Sequence, residues 1–297
     1  MAAVAEPQQQ LAWEARWRPR AGLAAVLAGL LTLAGFFWTV IAFRDLPHSS
    51  FMESLSQAFQ PGAIGSRPSL RTQEFQFYDD KAFTFVGSSI VRGLAWVAFA
   101  YALTFLAAAA RARRPELPRP VVYVALVGAV LLAVGSVLGG IGWVKAVSHY
   151  LDGPRTVDAA SDVQSDSLLV TAGLISQLAQ LAIAAGLLLV ALNAMRVGLL
   201  TRFLGILGMV SGALAVLIEF VFSLVVSFWL IAFGFMLLGL ARGGLPPAWR
   251  TGQAEPWPGR AAARGRSPAP DPEPAAGPAP PARPHPSSKR RKRKRRD

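Results

Sequence analysis

The sequence predicts an all-α membrane protein, with about six transmembrane helices in a bundle and a disordered basic C-terminal tail. The first observation is composition: 53% of the residues are hydrophobic and 16% are charged, whereas soluble domains carry about 25% charged residues. The second is the presence of several long apolar runs, since a bilayer core of about 30 Å needs roughly 20 apolar residues as a helix. The third is an abrupt change to proline, alanine and arginine after Arg242.

The apolar runs predict six spans. They cover about 22–43, 89–110, 121–143, 168–195, 204–218 and 222–240. The last two come from one stretch whose only charge is Glu219, and a single helix over that stretch would be about 55 Å long, too long for one crossing. We therefore expect a hairpin with Glu219 in or near its turn. Because 204–218 is short, a re-entrant segment is the alternative.

The distribution of lysine and arginine predicts the orientation. Residues 1–21 form an N-terminal anchor, 22–241 the bundle with an outer loop at 44–88, and 242–297 the tail. Short basic loops lie on the cytoplasmic side of bacterial membrane proteins, and those at 111–120 and 196–203 share a side with both termini in a six-span chain. The prediction is a plasma (cytoplasmic) membrane protein with both termini cytoplasmic.

Two segments outside the spans have helical patterns. Trp13 and Trp17, with arginines beside them, are typical of an anchor at the headgroup level. In the outer loop, Phe51, Leu55 and Phe59 have the spacing of one apolar helix face. The aromatic stretch at 75–89 could be an early extension of the second helix above the membrane. This loop is the only outer segment large enough to cover a site.

Residues that could carry chemistry are few. The chain has no cysteine and three histidines, and no pair of acid-base groups converges in sequence, so we predict no cofactor, no metal site and no enzyme activity. Asp158, Asp162 and Asp166 are four residues apart and predict a solvated acidic loop with a helix cap, because calcium sites need denser oxygen ligands.

Polar residues within apolar runs are the candidate functional residues, because hydrocarbon rejects them. They are Arg92, Gln177, Gln180 and Glu219. An ion pair between Arg92 and Glu219 is geometrically possible. The structural alternatives are snorkelling of Arg92 to headgroups, interhelical hydrogen bonds of the glutamines, and a solvated turn position for Glu219.

Two pairs of glycines have the small-xxx-small spacing that brings membrane helices together. The predicted packing positions are Gly135 and Gly139, and Gly208 and Gly212.

The tail ends in eight consecutive basic residues. They are Lys289, Arg290, Arg291, Lys292, Arg293, Lys294, Arg295 and Arg296. A Pro-rich spacer precedes them, so this polybasic segment could bind anionic lipid or cytoplasmic polyanions such as nucleic acid. The alternative is a tail that only improves solubility.

Five stretches carry a resemblance to a group of known sequences. They are FYDDKAF at 77–83, RRPELPR at 113–119, LVGAVLLAVGSV at 126–137, LNAMRVGLLTRFLGILGMVSGAL at 192–214 and PPAWRTGQAEPWP at 246–258. With them the chain resembles uncharacterised multi-pass membrane proteins of actinobacterial type over most of 75–258. The resemblance implies a multi-pass membrane protein and brings no activity, ligand or partner.

The first functional hypothesis is a non-enzymatic anchor, scaffold or regulator whose polybasic tail contacts anionic lipid or polyanions. The alternative is a small-solute transporter or channel subunit that uses the polar residues within the spans. An intramembrane enzyme is the third and weakest hypothesis.

Overall fold

The computed structural model describes residues 6–47, 51–59, 62–217, 219–241 and 243–257. Six main helices form the bundle: α1 (Pro7–Ala42), α4 (Ala82–Arg113), α5 (Arg119–Asp152), α7 (Ser167–Arg196), α8 (Arg202–Leu217) and α9 (Glu219–Leu237). Four short helices lie in the connections: α2 (Phe51–Ala58), α3 (Thr72–Asp80), α6 (Val157–Asp162) and α10 (Ala248–Thr251). The predicted helical bundle is confirmed. The tail was predicted from residue 242, but residues 243–257 are folded against the bundle, where Trp249 is buried and donates to the Leu199 carbonyl oxygen; the rest of the predicted tail lies outside the described residues.

Five helical stretches are long and apolar enough to cross a membrane within the described ranges. They are Pro7–Ala42, Ala82–Arg113, Arg119–Asp152, Val157–Arg196 and Phe220–Leu237. Their outer surfaces are apolar, as on α7, where Leu174, Leu178 and Leu181 are each more than half exposed. Since water would reject such a surface, the chain is a membrane protein.

The sixth predicted span is a shorter apolar helix. α8 has 16 residues, which makes it about 24 Å long at 1.5 Å per residue. It begins beside the end of α7, and α9 then runs back from Phe220, against Phe36 of α1, to Leu238, against Gly22. The chain therefore goes and returns as a helical hairpin, as the length of the apolar stretch predicts.

The six helices form a closed ring in chain order. Each packs on the next, and α9 packs back against α1. Glycines make this last contact close: a methyl group on Gly29 would lie 2.8 Å from the Ser227 carbonyl oxygen, and one on Gly234 would lie 2.6 Å from the Gly22 carbonyl oxygen. These distances leave no room for a side chain, so the two backbones meet directly.

The ring has two distinct ends. The basic end is formed by the first turns of α1, the end of α4, the end of α7 and the segment after α9, and the loop end is formed by the opposite helix termini with α2, α3 and α6. Arg113 joins Glu14 to the carbonyl oxygen of Ala248 at the basic end. Both ends of the described chain, at residues 6 and 257, therefore belong to the basic end.

α1 runs from Pro7 through Pro19 to Ala42 without a break, so residues 7–21 of the predicted anchor are helical and continuous with the first predicted span. Trp13 stacks on Phe105 with ring centroids 5.3 Å apart. Packing against α4 thus extends the helix beyond the apolar run from which its length was predicted.

The loop end carries a small second core. Phe75 of α3 is fully buried and packs edge-to-face on Tyr150 of α5, with ring centroids 4.7 Å apart. The Thr72 hydroxyl lies 2.8 Å from the Tyr150 hydroxyl, and Pro68 pairs with Thr156 in an isolated β-bridge. The outer loop is therefore docked on the bundle. The predicted extension of the second span is confirmed only in part: α4 begins at Ala82, and residues 75–80 belong to α3, because the helix breaks at Lys81.

Candidate functional site

A cavity of about 690 Å³ lies among the helices of the ring. Its walls come from α1, α4, α5, α7 and α9, and its polar lining consists of Thr32, Thr39, Ser88, Ser89, Arg92, Ser136, Ser176, Gln180 and Ser223. The lining runs along α4 from Phe85 to Trp96, about 16 Å at the helical rise. A cavity of this size can take a small-molecule ligand.

On α4, three polar residues share the face that lines the cavity. Ser88, Ser89 and Arg92 are three and four residues apart, the spacing of one helix face. Both serine hydroxyls donate to the Phe85 carbonyl oxygen, at 2.8 and 3.0 Å, which leaves their oxygens free to accept. Arg92 lies about 15 Å along the helix from Ala82, because α4 begins seven residues before the predicted span.

Glycines on α5 make room for the hydroxyl groups of the neighbouring helices. A methyl group on Gly140 would lie 2.3 Å from Ser89 Oγ, and one on Gly135 would lie 2.5 Å from Ser176 Oγ. Gly139, by contrast, has its nearest neighbour, Ala172 Cβ, at an ordinary 3.9 Å, and it lines the cavity. The predicted packing pair therefore divides: Gly135 is at a helix contact, and Gly139 leaves space open.

The other predicted glycine pair lies outside the cavity at tight helix contacts. A methyl group on Gly208 would lie 2.8 Å from Ala191 Cβ, and one on Gly212 would lie 2.8 Å from the Ala184 carbonyl oxygen. Both glycines set the close approach of α8 to α7.

Aromatic side chains form the floor of the cavity. Trp96 of α4 stacks on Phe222 of α9 with ring centroids 6.1 Å apart and planes 12° from parallel, and Trp96 meets Phe99 edge-to-face. Beyond them, Phe99, Leu103 and the other side chains of the main core are almost fully buried. The cavity therefore ends at Trp96 and Phe222, and packed side chains separate it from the basic end.

The cavity joins two of the four predicted intramembrane polar residues. Arg92 from α4 and Gln180 from α7 both line it. Gln177 lies on the exposed face of α7 and does not line the cavity. Glu219 is the first residue of α9, and its side chain lies outside the described part, as does the predicted ion pair with Arg92. The polybasic residues 289–296 are also outside it.

The lining can recognise a polar solute by several kinds of contact. Arg92 offers guanidinium donors and already has an interaction within the chain, so a solute would be an additional or competing partner. Gln180 can donate and accept. Thr32, Thr39 and Ser136 donate to the carbonyl oxygens of their own helices, at 2.7 to 2.9 Å, so they present acceptor oxygens to the cavity. Hydrogen-bonding groups thus surround an apolar floor.

A second polar cluster, which the sequence analysis missed, lies at the basic end. Glu14 and Arg113 form an ion pair whose side chains are 2% and 0% exposed, and Gln10 donates to the same carboxylate at 2.7 Å. Arg113 also donates to the Ala248 carbonyl oxygen at 2.7 Å and lies over the Trp249 ring. These contacts occupy the Glu14 carboxylate and both terminal nitrogens of Arg113, so the cluster holds α1, α4 and α10 together.

Acidic residues at the loop end have structural roles. Asp166 caps α7 by accepting from the backbone N–H groups of Leu168 and Leu169, which confirms the predicted cap. Thr156 caps α6 in the same way. Across the described ranges, no group of three or more His, Cys, Asp or Glu side chains could hold a metal ion.

The signal for the cavity was present in the sequence but weak. Hydroxyl residues occur in apolar helices throughout the chain. The hydroxyl residues of the cavity differ from the others only where they lie three or four residues from Arg92 or Gln180.

Comparison with family models, curated proteins and solved structures found no match to this chain.

Proposed function

We propose that this chain is a small-solute transport protein whose solute binds in the cavity within the ring of helices. The observation that carries the proposal is that Arg92 and Gln180, from two different helices, line one cavity in an otherwise apolar bundle. An ionisable residue within a membrane-spanning helix is costly and faces the bundle interior or a water-filled cavity, where it marks a substrate or ion pathway.

The position of Arg92 supports a cavity role over snorkelling. A snorkelling arginine extends along the outer surface of its helix to reach headgroups. Arg92 shares its helix face with Ser88 and Ser89, which are 3% and 9% exposed, and it lines the cavity with them. Its guanidinium therefore serves the interior of the ring.

The floor of the cavity supports transport by alternating access. Trp96 and Phe222 close the cavity toward the basic end, so a bound solute could leave in that direction only if α4 and α9 moved apart there. Such a movement would repack two stacked rings and leave the helices themselves intact. In this proposal the residues that line the cavity bind and release the solute, and none of them needs to react with it.

Osmotic swelling of proteoliposomes tests the proposal with several chemical classes of solute. We would measure light scattering after mixing with isotonic solutions of glycerol, of neutral amino acids, of monocarboxylates and of organic cations. We expect at least one class to enter faster than into empty liposomes, and Arg92→Gln and Gln180→Ala each to slow that entry at least tenfold. Gln177→Ala is the matched control on the same helix and should leave the rate unchanged. If no class enters, or if all three variants behave alike, the proposal is wrong.

Water access to the cavity can be tested separately because the chain has no cysteine. Ser136→Cys and Ser176→Cys should react with a water-soluble methanethiosulfonate reagent in membranes, since only a hydrated thiol ionises. Leu178→Cys, on the exposed apolar face of α7, should not react. Equal protection of all three cysteines would show a dry cavity and count against solute binding.

A second proposed function concerns the tail. The segment before it is docked at the basic end: the indole N–H groups of Trp249 and Trp257 donate to the carbonyl oxygens of Leu199 and Leu200, each at 2.8 Å. This contact supports a tethering role, because it sets where the tail begins. We propose that the basic end faces the cytoplasm and that residues 289–296 bind anionic lipid or polyanions there.

Deletion of residues 286–297 tests the tethering function. At about 1 kcal/mol per basic residue near an anionic surface, the deletion should lower binding to anionic vesicles by several orders of magnitude in low salt. Unchanged binding would exclude it. Orientation is tested by labelling Ser288→Cys and Ser161→Cys in intact cells with an impermeant maleimide, where only Ser161→Cys should react.

A further inference from the structure

A second cleft lies at the basic end, between the hairpin of α8 and α9 and the segment that follows it. Its volume is about 450 Å³, and its lining is largely apolar: Phe203, Leu204, Ala232, Met236, Leu245 and Trp257. Arg250 supplies the one charged side chain among its described lining residues. This cleft is separate from the cavity at the loop end and shares none of that cavity's lining residues.

Two helix caps build the cleft. At the end of α9, the N–H groups of Leu240 and Gly239 donate to the carbonyl oxygens of Phe235 and Met236, with Gly239 in the left-handed region at φ 76°. This is a Schellman motif, which ends a helix and turns the chain aside. The chain then runs back toward the start of α8, where Trp257 is held by its hydrogen bond to Leu200.

A matching cap at the end of α7 forms the other anchor. The N–H groups of Leu199 and Gly198 donate to the carbonyl oxygens of Ala194 and Met195, and the N–H of Glu255 donates to the Val197 carbonyl oxygen at 3.1 Å. The segment after α9, residues 243–257, is thus fixed at both ends of its path across α8 and α9. The space left beneath it is the cleft.

The surroundings of the cleft are those of a membrane interface. Phe203 and Leu240, at its edge, are 62% and 68% exposed, on a bundle whose outer surface is apolar. Arg250 is exposed and lies on the turn of α10, at the end of the ring where the arginines of α1 and α4 also gather. An apolar slot beside the bilayer with a cation at its mouth matches the two parts of one molecule, an acyl chain and an anionic headgroup.

We infer that this cleft is a binding site for an anionic phospholipid, with one acyl chain against Phe203, Met236 and Trp257 and the phosphate at Arg250. A free phosphate would make no contact with the apolar lining, and an uncharged hydrophobic molecule would make no ionic contact with Arg250. The site would attach residues 243–257 to the bilayer, in addition to their hydrogen bonds to Val197, Leu199 and Leu200. The inference does not rest on solute transport.

Lipid binding to the purified full-length protein tests the site. We would delipidate the protein in neutral detergent and titrate it with dioleoylphosphatidylglycerol, with dioleoylphosphatidylcholine and with inorganic phosphate, following the fluorescence of the tryptophans. The titration runs at about 0.5 M salt, where the Debye length is a few ångströms and an exposed polybasic tail is screened. We expect phosphatidylglycerol to bind about fivefold or more tightly than phosphatidylcholine, and phosphate alone not to bind.

Two variants and a control decide the outcome. Arg250→Gln should weaken phosphatidylglycerol binding about fivefold and phosphatidylcholine binding by less, because the choline ammonium already offsets the charge of that lipid's phosphate. Ala232→Phe, which fills the slot, should weaken both lipids. Arg119→Gln, an exposed arginine at the same end on the other side of the ring, should change neither. The inference is overturned if the two lipids bind equally to the natural chain, if Arg250→Gln and Arg119→Gln have the same effect, or if phosphate competes as well as the lipid.

Discussion

Breaking the ion pair between Glu14 and Arg113 should destabilise the bundle strongly, and removing both charges should cost less. Arg113 donates to both Glu14 carboxylate oxygens, to the Ala109 carbonyl oxygen at 3.1 Å and to the Ala248 carbonyl oxygen at 2.7 Å. The Glu14→Leu variant therefore leaves a fully buried guanidinium with two neutral acceptors and no counter-charge.

The magnitude follows from two independent estimates. Two unit charges about 4 Å apart interact by about 4 kcal/mol at an effective dielectric constant of 20, and breaking one partner of a buried pair costs about 3–5 kcal/mol in measured proteins. In the double variant Glu14→Leu, Arg113→Met no charge is buried. The remaining cost is the lost bond to Ala248, about 1–2 kcal/mol. We expect the double variant to be more stable than Glu14→Leu by about 1–4 kcal/mol.

The assay is unfolding by added SDS in mixed micelles, followed by circular dichroism. The exposed ion pair of Arg44 and Asp45, with side chains 72% and 70% exposed, supplies the control. Asp45→Asn should shift the free energy of unfolding by less than about 1 kcal/mol. If the double variant is as unstable as Glu14→Leu or worse, the cost does not come from an uncompensated charge, and the reasoning fails.

Three further predictions concern packing and pH. Gly186→Leu should lower the free energy of unfolding by about 1–3 kcal/mol, because a methyl group there would lie 2.8 Å from Ala125 Cβ; Gly173→Leu, at an open position on the same helix, should not. Trp229→Phe should cost about 1–3 kcal/mol in SDS unfolding, since the buried indole donates to a carbonyl oxygen of α8 at 2.8 Å. Burial raises the pKa of Tyr78 above its usual 10.0. The small second core at the loop end, against which Tyr78 packs, should therefore keep its stability below about pH 10 and lose stability as the pH rises further. In Tyr78→Phe, alkaline unfolding followed by fluorescence should lose that part of its pH dependence, and an unchanged alkaline profile would contradict the assignment.

The helices were predictable because each membrane-spanning helix contains a run of about 20 apolar residues. The runs at 121–143 and 168–195 lie within α5 and α7, and the hairpin followed from the length of one apolar stretch. The true helices extend beyond these runs at both ends. α1 and α4 also extend beyond their apolar runs. Glu14 on α1 and Arg113 on α4 are polar residues in these extensions, and they are held by pairing with each other. The two residues are 99 positions apart in sequence, so no local pattern contains this contact.

Which polar residues face the cavity could not be predicted. Gln177 and Gln180 are one turn apart on a helix that is apolar on every side, so hydropathy does not distinguish the face toward lipid from the face toward protein. The closure of the ring by α9 and α1 decides it. The cleft at Arg250 was equally hidden, since it depends on two glycine caps that return the chain across α8 and α9.

The glycine contact between α1 and α9 also has a consequence for synthesis. Gly22 and Gly29 leave the ribosome about two hundred residues before their partners Ser227 and Gly234. During that interval the glycine groove of α1 must face lipid, or a chaperone or insertase that covers it. The wall that α9 adds to the cavity does not exist until α9 is made. A ribosome stalled before α9 would therefore hold a five-helix arc with an open side, and the cavity forms only when α9 packs against α1.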